Sequence, residues 1–342
     1  MAEITIYTIA KELNMTPSMV SRAFNPDCKV SAEKRRLVLD TAKKYGFSPN
    51  RMASRLSMKN VRIGILINSR FDVNTEKMLS GVSRAFERLK DYKIDYDVIV
   101  VNPHKECDFD YDKTLSELAE YDGVIVTGLS AGRYSQSLQR LYEKNSNLVQ
   151  VQSVNGGSDY LFASKHNEET ASFLACEFLC NCLRKSERKN VLLFIGDKES
   201  ELHKSAASVF EKACVKMGLT LLDTIEFGDS EEQLSRITAE AFEKYGDAVD
   251  GVYTTSGISE ALCRYLDENK VDAAFVAFDT HEAVRRYMKK GVVCAAIDQN
   301  VTQQMACAFE GLVKHIISGE SCEKVIYTDV QLVLESNIYQ FD

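Results

Sequence analysis

No apolar run in the 342 residues approaches the ~20 that a membrane-spanning helix requires. The first 30 residues also lack the basic stretch and apolar core of a secretory leader. Both absences lead to the expectation of a cytoplasmic protein with no membrane partner. Proline is scarce, with 4 residues, and glycine stands at 17, which excludes a collagen-like chain. With 45% hydrophobic and 27% charged residues, the chain is not a disordered one. It has apolar material for the core of two or three domains. Histidine is scarce as well, at 5 residues. The sequence contains no Gly-x-Ser-x-Gly elbow, no His-Glu-x-x-His and no cysteine with an evident histidine framework. The acid pairs Asp95/Asp97 and Asp108/Asp110 have the spacing of a solvated strand face. Catalysis is therefore not expected. Neither glycine-rich phosphate loop occurs, and no cofactor is expected.

Ten cysteines are present, and without secretion they are expected to be reduced thiols. Cys176, Cys180 and Cys182 are the closest cluster, but no fourth ligand stands at a confirming spacing, so no metal is expected.

Charge is unevenly distributed. Residues 1–60 hold 11 Lys and Arg against 5 Asp and Glu, a net of +6, whereas the remaining 282 hold 31 against 45, a net of −14. A small basic head on an acidic body suits a protein that touches a polyanion at one end only.

The head reads as three helices. Residues 6–13 carry Ile6, Ile9, Ala10 and Leu13 on one face behind the N-cap candidate Thr5. Thr16-Pro17 opens a second helix, with Val20, Ala23 and Phe24 inward. Ser31 caps a third, 32–45, whose expected inward residues are Leu37, Val38, Thr41 and Ala42, with Gly46 after its end. Two short helices joined by a tight turn, with a third packed across them, make a helix-turn-helix. The start of its second helix enters the major groove. There Arg22 suits a guanine edge, Ser18 either donors or acceptors, and Pro17 a thymine methyl. Thr5, Tyr7, Thr16, Ser21, Asn25 and Lys29 are candidates for phosphate contact and register. Asn50 then caps a short basic segment, 51–58, with Arg51, Ala53 and a protruding Leu56. An apolar wedge on a basic segment suits insertion into the minor groove.

The runs ITIYTIAKELNMTPSMVSRAFN and VSAEKRRLVLDTAKKYGFSPNRMASRL resemble the head of the LacI/GalR family of transcriptional regulators across residues 4–58. That resemblance implies base reading around residues 17, 18 and 22 and a hinge helix whose Leu56 enters the centre of a palindromic operator. Thr8 stands where the family usually has an acid, and Met19 where it has a small hydroxyl residue.

From Val61 onward, short β-branched runs (VRIGILI, IDYDVIVV, DGVIVTG, LVQV, NVLLFIG, DGVYTT, AAFVAFD) alternate with helical stretches. This predicts parallel sheets with helices on both faces. At about 280 residues the body is large for one such unit, so two lobes are expected, with crossovers near 161–165 and 297–299. Ligands of open α/β sheets bind beyond the carboxyl ends of strands. Those ends offer Asn68, Ser69, Arg70 and Phe71; Thr127 and Gly128; Ser153, Asn155 and Gly156; Asp197 and Glu201; Thr255 and Ser256; Asp279; and Asp298, Gln299 and Asn300. Hydroxyls, amides and acids beside an aromatic are what a sugar needs.

The body is similar to the periplasmic-binding-protein-like effector domain of the same family. On that likeness Asp279 and Gln299, with Asp298 beside it, are effector-binding candidates, joined by Asn68, Arg70, Phe71, Asn155 and Glu201. The family's usual Arg and Asn-Asp are replaced by Ala206 and by Ser256-Gly257, which removes two polar clamps.

The expected architecture is an N-terminal all-α helix-turn-helix domain (1–48), a hinge helix or linker (49–60) and a two-lobed α/β periplasmic-binding-protein-like domain (61–342). The expected function is a sequence-specific regulator, a repressor, controlled by a sugar or related metabolite. Its expected partner is double-stranded DNA with a pseudo-palindromic operator, bound by a homodimer, with a tetramer left open. The alternative is a DNA-binding protein whose body only dimerises.

Overall fold

The computed structural model describes residues 5–24, 30–45, 47, 60–103, 105–198 and 200–341, apart from the side chain of Glu201. The expected contacts at Asn25, Lys29, Asn50, Arg51, Ala53 and Leu56, and the expected helix end at Gly46, lie outside the described residues.

The head contains α1 (Ile6–Glu12), α2 (Pro17–Phe24) and α3 (Ala32–Lys44). At the start of α1 the Thr8 hydroxyl accepts the Thr5 N–H at 3.2 Å. A neutral residue thus does the capping at the position where the family has an acid. Asn14, at φ 50°, turns the chain toward α2, a conformation asparagine tolerates. The Thr16 hydroxyl then accepts the Met19 N–H at 3.2 Å, and Pro17 begins α2 where no intrahelical N–H bond is lost.

Ile9, Ala10, Val20, Ala23 and Val38 form the head's core. The expectation for α3 needs correction. Leu37 is 48% exposed, and only Val38 and Ala42 of this helix are buried. Val38 and Ala42, four residues apart, define the inward stripe, and Leu37 is turned about 100° from Val38. Arg35 ties α3 to α2 by donating to the Ala23 carbonyl at 3.2 Å, and the Tyr45 hydroxyl donates to Glu12 of α1 at 2.9 Å.

The body begins with β1 (Val61–Asn68), α4 (Asp72–Arg88), β2 (Ile94–Val101), α5 (Tyr111–Leu118), β3 (Gly123–Thr127), α6 (Ser135–Lys144), β4 (Leu148–Val151) and β5 (Phe162–His166). The chain next runs through α7 (Glu168–Cys182), β6 (Asn190–Ile195), α8 (Glu201–Met217), β7 (Thr220–Glu226), α9 (Glu231–Tyr245) and β8 (Gly251–Thr254). It continues with α10 (Glu260–Glu268), β9 (Ala274–Phe278), α11 (Glu282–Lys289) and β10 (Ala295–Asp298). It ends with α12 (Val301–Ser318), β11 (Val325–Thr328) and β12 (Gln331–Val333).

Two six-stranded sheets result, ordered β11-β5-β4-β3-β1-β2 and β12-β10-β9-β8-β6-β7. All pairings are parallel except β10 with β12. Parallel strands need helical crossovers, and these cover both faces of each sheet. Ile63, Ile65 and Ile67 of β1 meet Met78 and Val82 of α4 and Met305 and Phe309 of α12, while Leu66 faces Leu115 and Leu138 on the other side. Each such side chain contributes about 1.5–3 kcal/mol when fully buried. Gly81 of α4 lets the two helices touch, because a Cβ there would overlap the Thr302 carbonyl.

The chain passes between lobes three times. The first passage comes just after β5, which itself occupies the segment expected as a crossover. The second follows β10 through Gln299 and Asn300, close to where it was expected. The third, between β11 and β12, was not anticipated. Cys176 and Cys214 meet between α7 and α8 as buried thiols, with sulfurs 3.6 Å apart. Among the described residues, no cluster of His, Cys, Asp and Glu could hold a metal, and no helix is long and apolar enough to cross a membrane.

Candidate functional site

In lobe two, the turn after β7 carries Gly228 at φ 60° and Asp229 at φ 52°. This left-handed pair directs the Asp229 carboxylate back toward the sheet. There it accepts the Ser256 hydroxyl at 2.8 Å and the Asp197 N–H at 3.1 Å, and His203 Nε2 lies at 3.3 Å. His203 Nδ1 is 2.9 Å from the Thr255 hydroxyl. Burial alone would raise the Asp229 pKa, but the hydrogen bonds from His203, Ser256 and Asp197 outweigh it and hold the carboxyl below its ordinary value. Gly196 makes the cluster possible, since any Cβ there would overlap Asp229 and His203.

A second cluster lies at the ends of β9 and β10. Asp279, at φ 62°, is buried and accepts the Gln299 amide at 2.8 Å. Burial, and then the neighbouring Asp298 charge, push its carboxyl above the usual carboxylate range. Asp298 accepts Lys77 Nζ and the Thr280 hydroxyl on one oxygen and the Asn300 N–H on the other, each at 2.8 Å. Lys77 belongs to α4 of lobe one, so this ion pair joins the lobes. The His166 ring, 5.5 Å from that of Phe278 at the end of β9, is buried, and desolvation holds its imidazole down to about 4.

The loop after β1 crosses the cleft. Its own turn is fixed by Ser69, whose hydroxyl bonds both the carbonyl and the N–H of Phe71, and by Asn102, which donates to the Arg70 carbonyl at 3.2 Å. Arg70 Nη1 donates to the Asp229 carbonyl at 2.7 Å. Phe71 lies flat on the His281 ring, with centroids 5.3 Å apart and planes 4° off parallel, and packs against the lobe-two core. A Cβ on Gly257 would come within 3.2 Å of the Phe71 ring. The glycine that replaces the family's usual acid therefore leaves room for this ring. Burial drives the His281 imidazole down to about 4, so the stack is uncharged at neutral pH.

Of the residues read from the sequence, Arg70, Phe71, Asp279, Asp298 and Gln299 meet around the cleft. The side chain of Glu201 lies outside the described residues. Two more of these residues are held by bonds within their own lobe. The Asn68 amide donates to the Gly128 carbonyl at 2.8 Å and accepts the Tyr111 hydroxyl at 2.7 Å. Asn155 is buried, donates to the carbonyls of Leu129 and Ala131, and accepts from Ser135 and Gly157. Both side chains satisfy the loops that shape lobe one, because buried backbone groups there need partners. His203, Asp229, His281 and Lys77 were missed. The signal for Asp229 was a Gly-Asp pair after a strand whose alternation is weak. The head exposes Thr5, Tyr7, Thr16, Ser18, Ser21 and Arg22, with Pro17 half-buried.

A family profile described as "Periplasmic binding protein domain" matches residues 113–321. Catabolite control protein A of Priestia megaterium is 24% identical over 304 residues, covering 87% of this chain and 79% of that protein. Its counterpart in Staphylococcus aureus strain N315 is 25% identical over 258 residues, 74% of each chain. Among solved structures, the glucose-galactose binding protein GanP of Geobacillus stearothermophilus superposes with a TM-score of 0.70 at 17% identity, over 82% of this chain and 99% of that one. A putative LacI transcriptional regulator from Bacteroides fragilis gives 0.67 at 16% identity, again over 82% and 99%. At these identities the structural likeness establishes the fold.

Proposed function

The chain belongs to the periplasmic binding protein domain family and is a distant relative of catabolite control protein A, and from that premise we propose that it is a sequence-specific transcriptional regulator, a repressor, whose DNA affinity is set by a small molecule in the cleft. The observation that carries this reading is the pairing, on one chain, of a basic helical head with an acidic two-lobed body. Helix α2 exposes Ser18, Ser21 and Arg22 along its length, and a helix of this kind reads base edges in the major groove. The likeness to catabolite control protein A covers a larger share of the chain than the body makes up, so it reaches into the head.

A homodimer would present two heads to the half-sites of a pseudo-palindrome, with Asn50, Arg51, Ala53 and Leu56 leading from head to body. Pro17, Ser18 and Arg22 would face bases; Thr5, Tyr7, Thr16, Ser21, Asn25 and Lys29 would hold the backbone. Effector in the cleft would shift the lobes and, through them, the two heads. Such a coupling is typically about 1–3 kcal/mol. The relatives named above are regulators and binding proteins, and the reading includes no catalysis and locates the protein in the cytoplasm.

Genome-wide mapping of DNA bound by the full chain tests the proposal. Enrichment of fragments sharing a pseudo-palindrome supports it, and an unenriched profile overturns it. A second reading, in which the body only dimerises, is favoured by Arg70 and Phe71 already filling the cleft. Melting in the presence of sugars and nucleosides separates the two readings, because only an effector site raises the melting temperature.

A further inference from the structure

We infer that residues 69–71 are a built-in occupant of the cleft: Arg70 and Phe71, carried on lobe one, latch onto the wall of lobe two and hold the lobes together with no ligand bound. The inference goes beyond the effector reading, because a body that only dimerises would be held by the same latch.

Both halves of the contact are fixed by bonds of their own. On lobe one, the Ser69 hydroxyl bonds the N–H and the carbonyl of Phe71, and Asn102 holds the Arg70 carbonyl at 3.2 Å. On lobe two, the Asp229 turn is pinned through its carboxylate by Ser256 and the Asp197 N–H, and the Ser259 hydroxyl lies 3.3 Å from His281 Nε2. Between these two frames Arg70 Nη1 donates to the Asp229 carbonyl at 2.7 Å, and the Phe71 ring covers that of His281. Gly257 completes the seat, since a Cβ there would come within 3.2 Å of the Phe71 ring. Preorganised partners lose little freedom on contact, so one hydrogen bond and one ring stack suffice to hold them. Lys77 bridges the lobes as well, but its partner Asp298 lies at the passage through Gln299 and Asn300. Points at a pivot move little when lobes part. Phe71 stands six residues before Lys77, about 9 Å along the axis of α4, so its contacts must break for the cleft to open. A ligand enters only by exchange with Arg70 and Phe71, and its apparent affinity is scaled down to the share of chains that stand unlatched.

Small-angle X-ray scattering of the ligand-free full chain, beside the Arg70→Ala/Phe71→Ala variant, tests the latch. The variant is expected to show the larger radius of gyration, at the same molecular mass from forward scattering and the same helix content by circular dichroism. Phe71→Tyr keeps the ring and should scatter as the wild type does. Residues that only supported the packing of their own loop would lower the melting temperature without moving the radius. Gly257→Val crowds the seat from lobe two, leaves residues 69–71 untouched and should expand the chain in the same sense; it serves if the double variant does not fold. Equal radii for the wild type and a folded Arg70→Ala/Phe71→Ala or Gly257→Val variant would overturn the inference. The two readings fail separately: equal radii end the latch alone, whereas a melting temperature that no sugar or nucleoside raises ends the effector reading alone.

Discussion

Lys77→Met removes the ammonium that bridges α4 of lobe one to the ends of β9 and β10 in lobe two. Lys77 Nζ stands 2.8 Å from both Asp298 Oδ2 and the Thr280 hydroxyl. The paired side chains are 18% and 5% exposed, so this is an interior pair and not a solvated one. Removing one partner of a buried pair costs about 3–5 kcal/mol, because the other charge is left without compensation. Here the Asp298 carboxylate keeps the Thr280 hydroxyl and the Asn300 N–H, both at 2.8 Å, and methionine retains most of the lysine stem's volume. Two surviving hydrogen bonds lower the expected loss to about 2–3 kcal/mol. Adding Asp298→Asn discharges the stranded carboxylate and should recover about half of it. Urea melts followed by far-UV circular dichroism at constant pH read the loss as a fall in midpoint. A change under about 0.5 kcal/mol, typical of a surface pair, would refute the reasoning. So would a double variant no more stable than Lys77→Met alone.

Gly81→Ala should destabilise the body by about 1–3 kcal/mol, because the added methyl overlaps the Thr302 carbonyl and forces α4 from α12; thermal melts check this, and an unchanged midpoint contradicts it. His166 and His281 are held down to about 4 by burial, below the ordinary 6.5. Their contribution is complete above 6.5 and is lost as the pH falls toward 4, at up to about 1.4 kcal/mol per unit for each. Asp279 runs the other way: its raised pKa favours the folded state at low pH, and that contribution is lost as the pH rises. The two imidazoles outweigh the single acid, so stability should fall between pH 6.5 and 4, and His281→Gln should flatten the slope of denaturant midpoint against pH. Arg22→Ala should relax preference at one base pair of the bound site by about 1–3 kcal/mol, measured by competition between fragments differing there; equal weakening on every sequence would remove Arg22 from base reading.

Local chemistry made much of the fold legible. The run VRIGILI reads as a doubly covered strand, and β1 is buried on both faces. Thr16-Pro17 and Ser31 read as helix starts, and their caps form. The strands β5, β7, β10, β11 and β12 escaped notice, and the third passage between lobes with the last two; β7 is partly exposed along its length, and β10, β11 and β12 hold only three or four residues each. Leu37 misled because hydrophobicity alone does not fix which face of a helix turns inward once Val38 and Ala42 have set the stripe. Asn68 and Asn155 show a further point: polar residues at strand ends also serve the loops' own backbone. The Asp229 cluster arises from a left-handed turn, a glycine on a different strand and a histidine on a helix. None of the three is informative alone, and only tertiary structure joins them.

The most direct test of the central claim is the affinity of the purified full chain for a fragment enriched by genomic mapping and for a scrambled fragment of equal length. Both are followed by fluorescence anisotropy across a salt series. The account predicts that the enriched fragment binds at least about 10³-fold tighter near physiological salt, with log affinity falling linearly against log salt for both. Equal affinity for the two fragments at every salt concentration would contradict it.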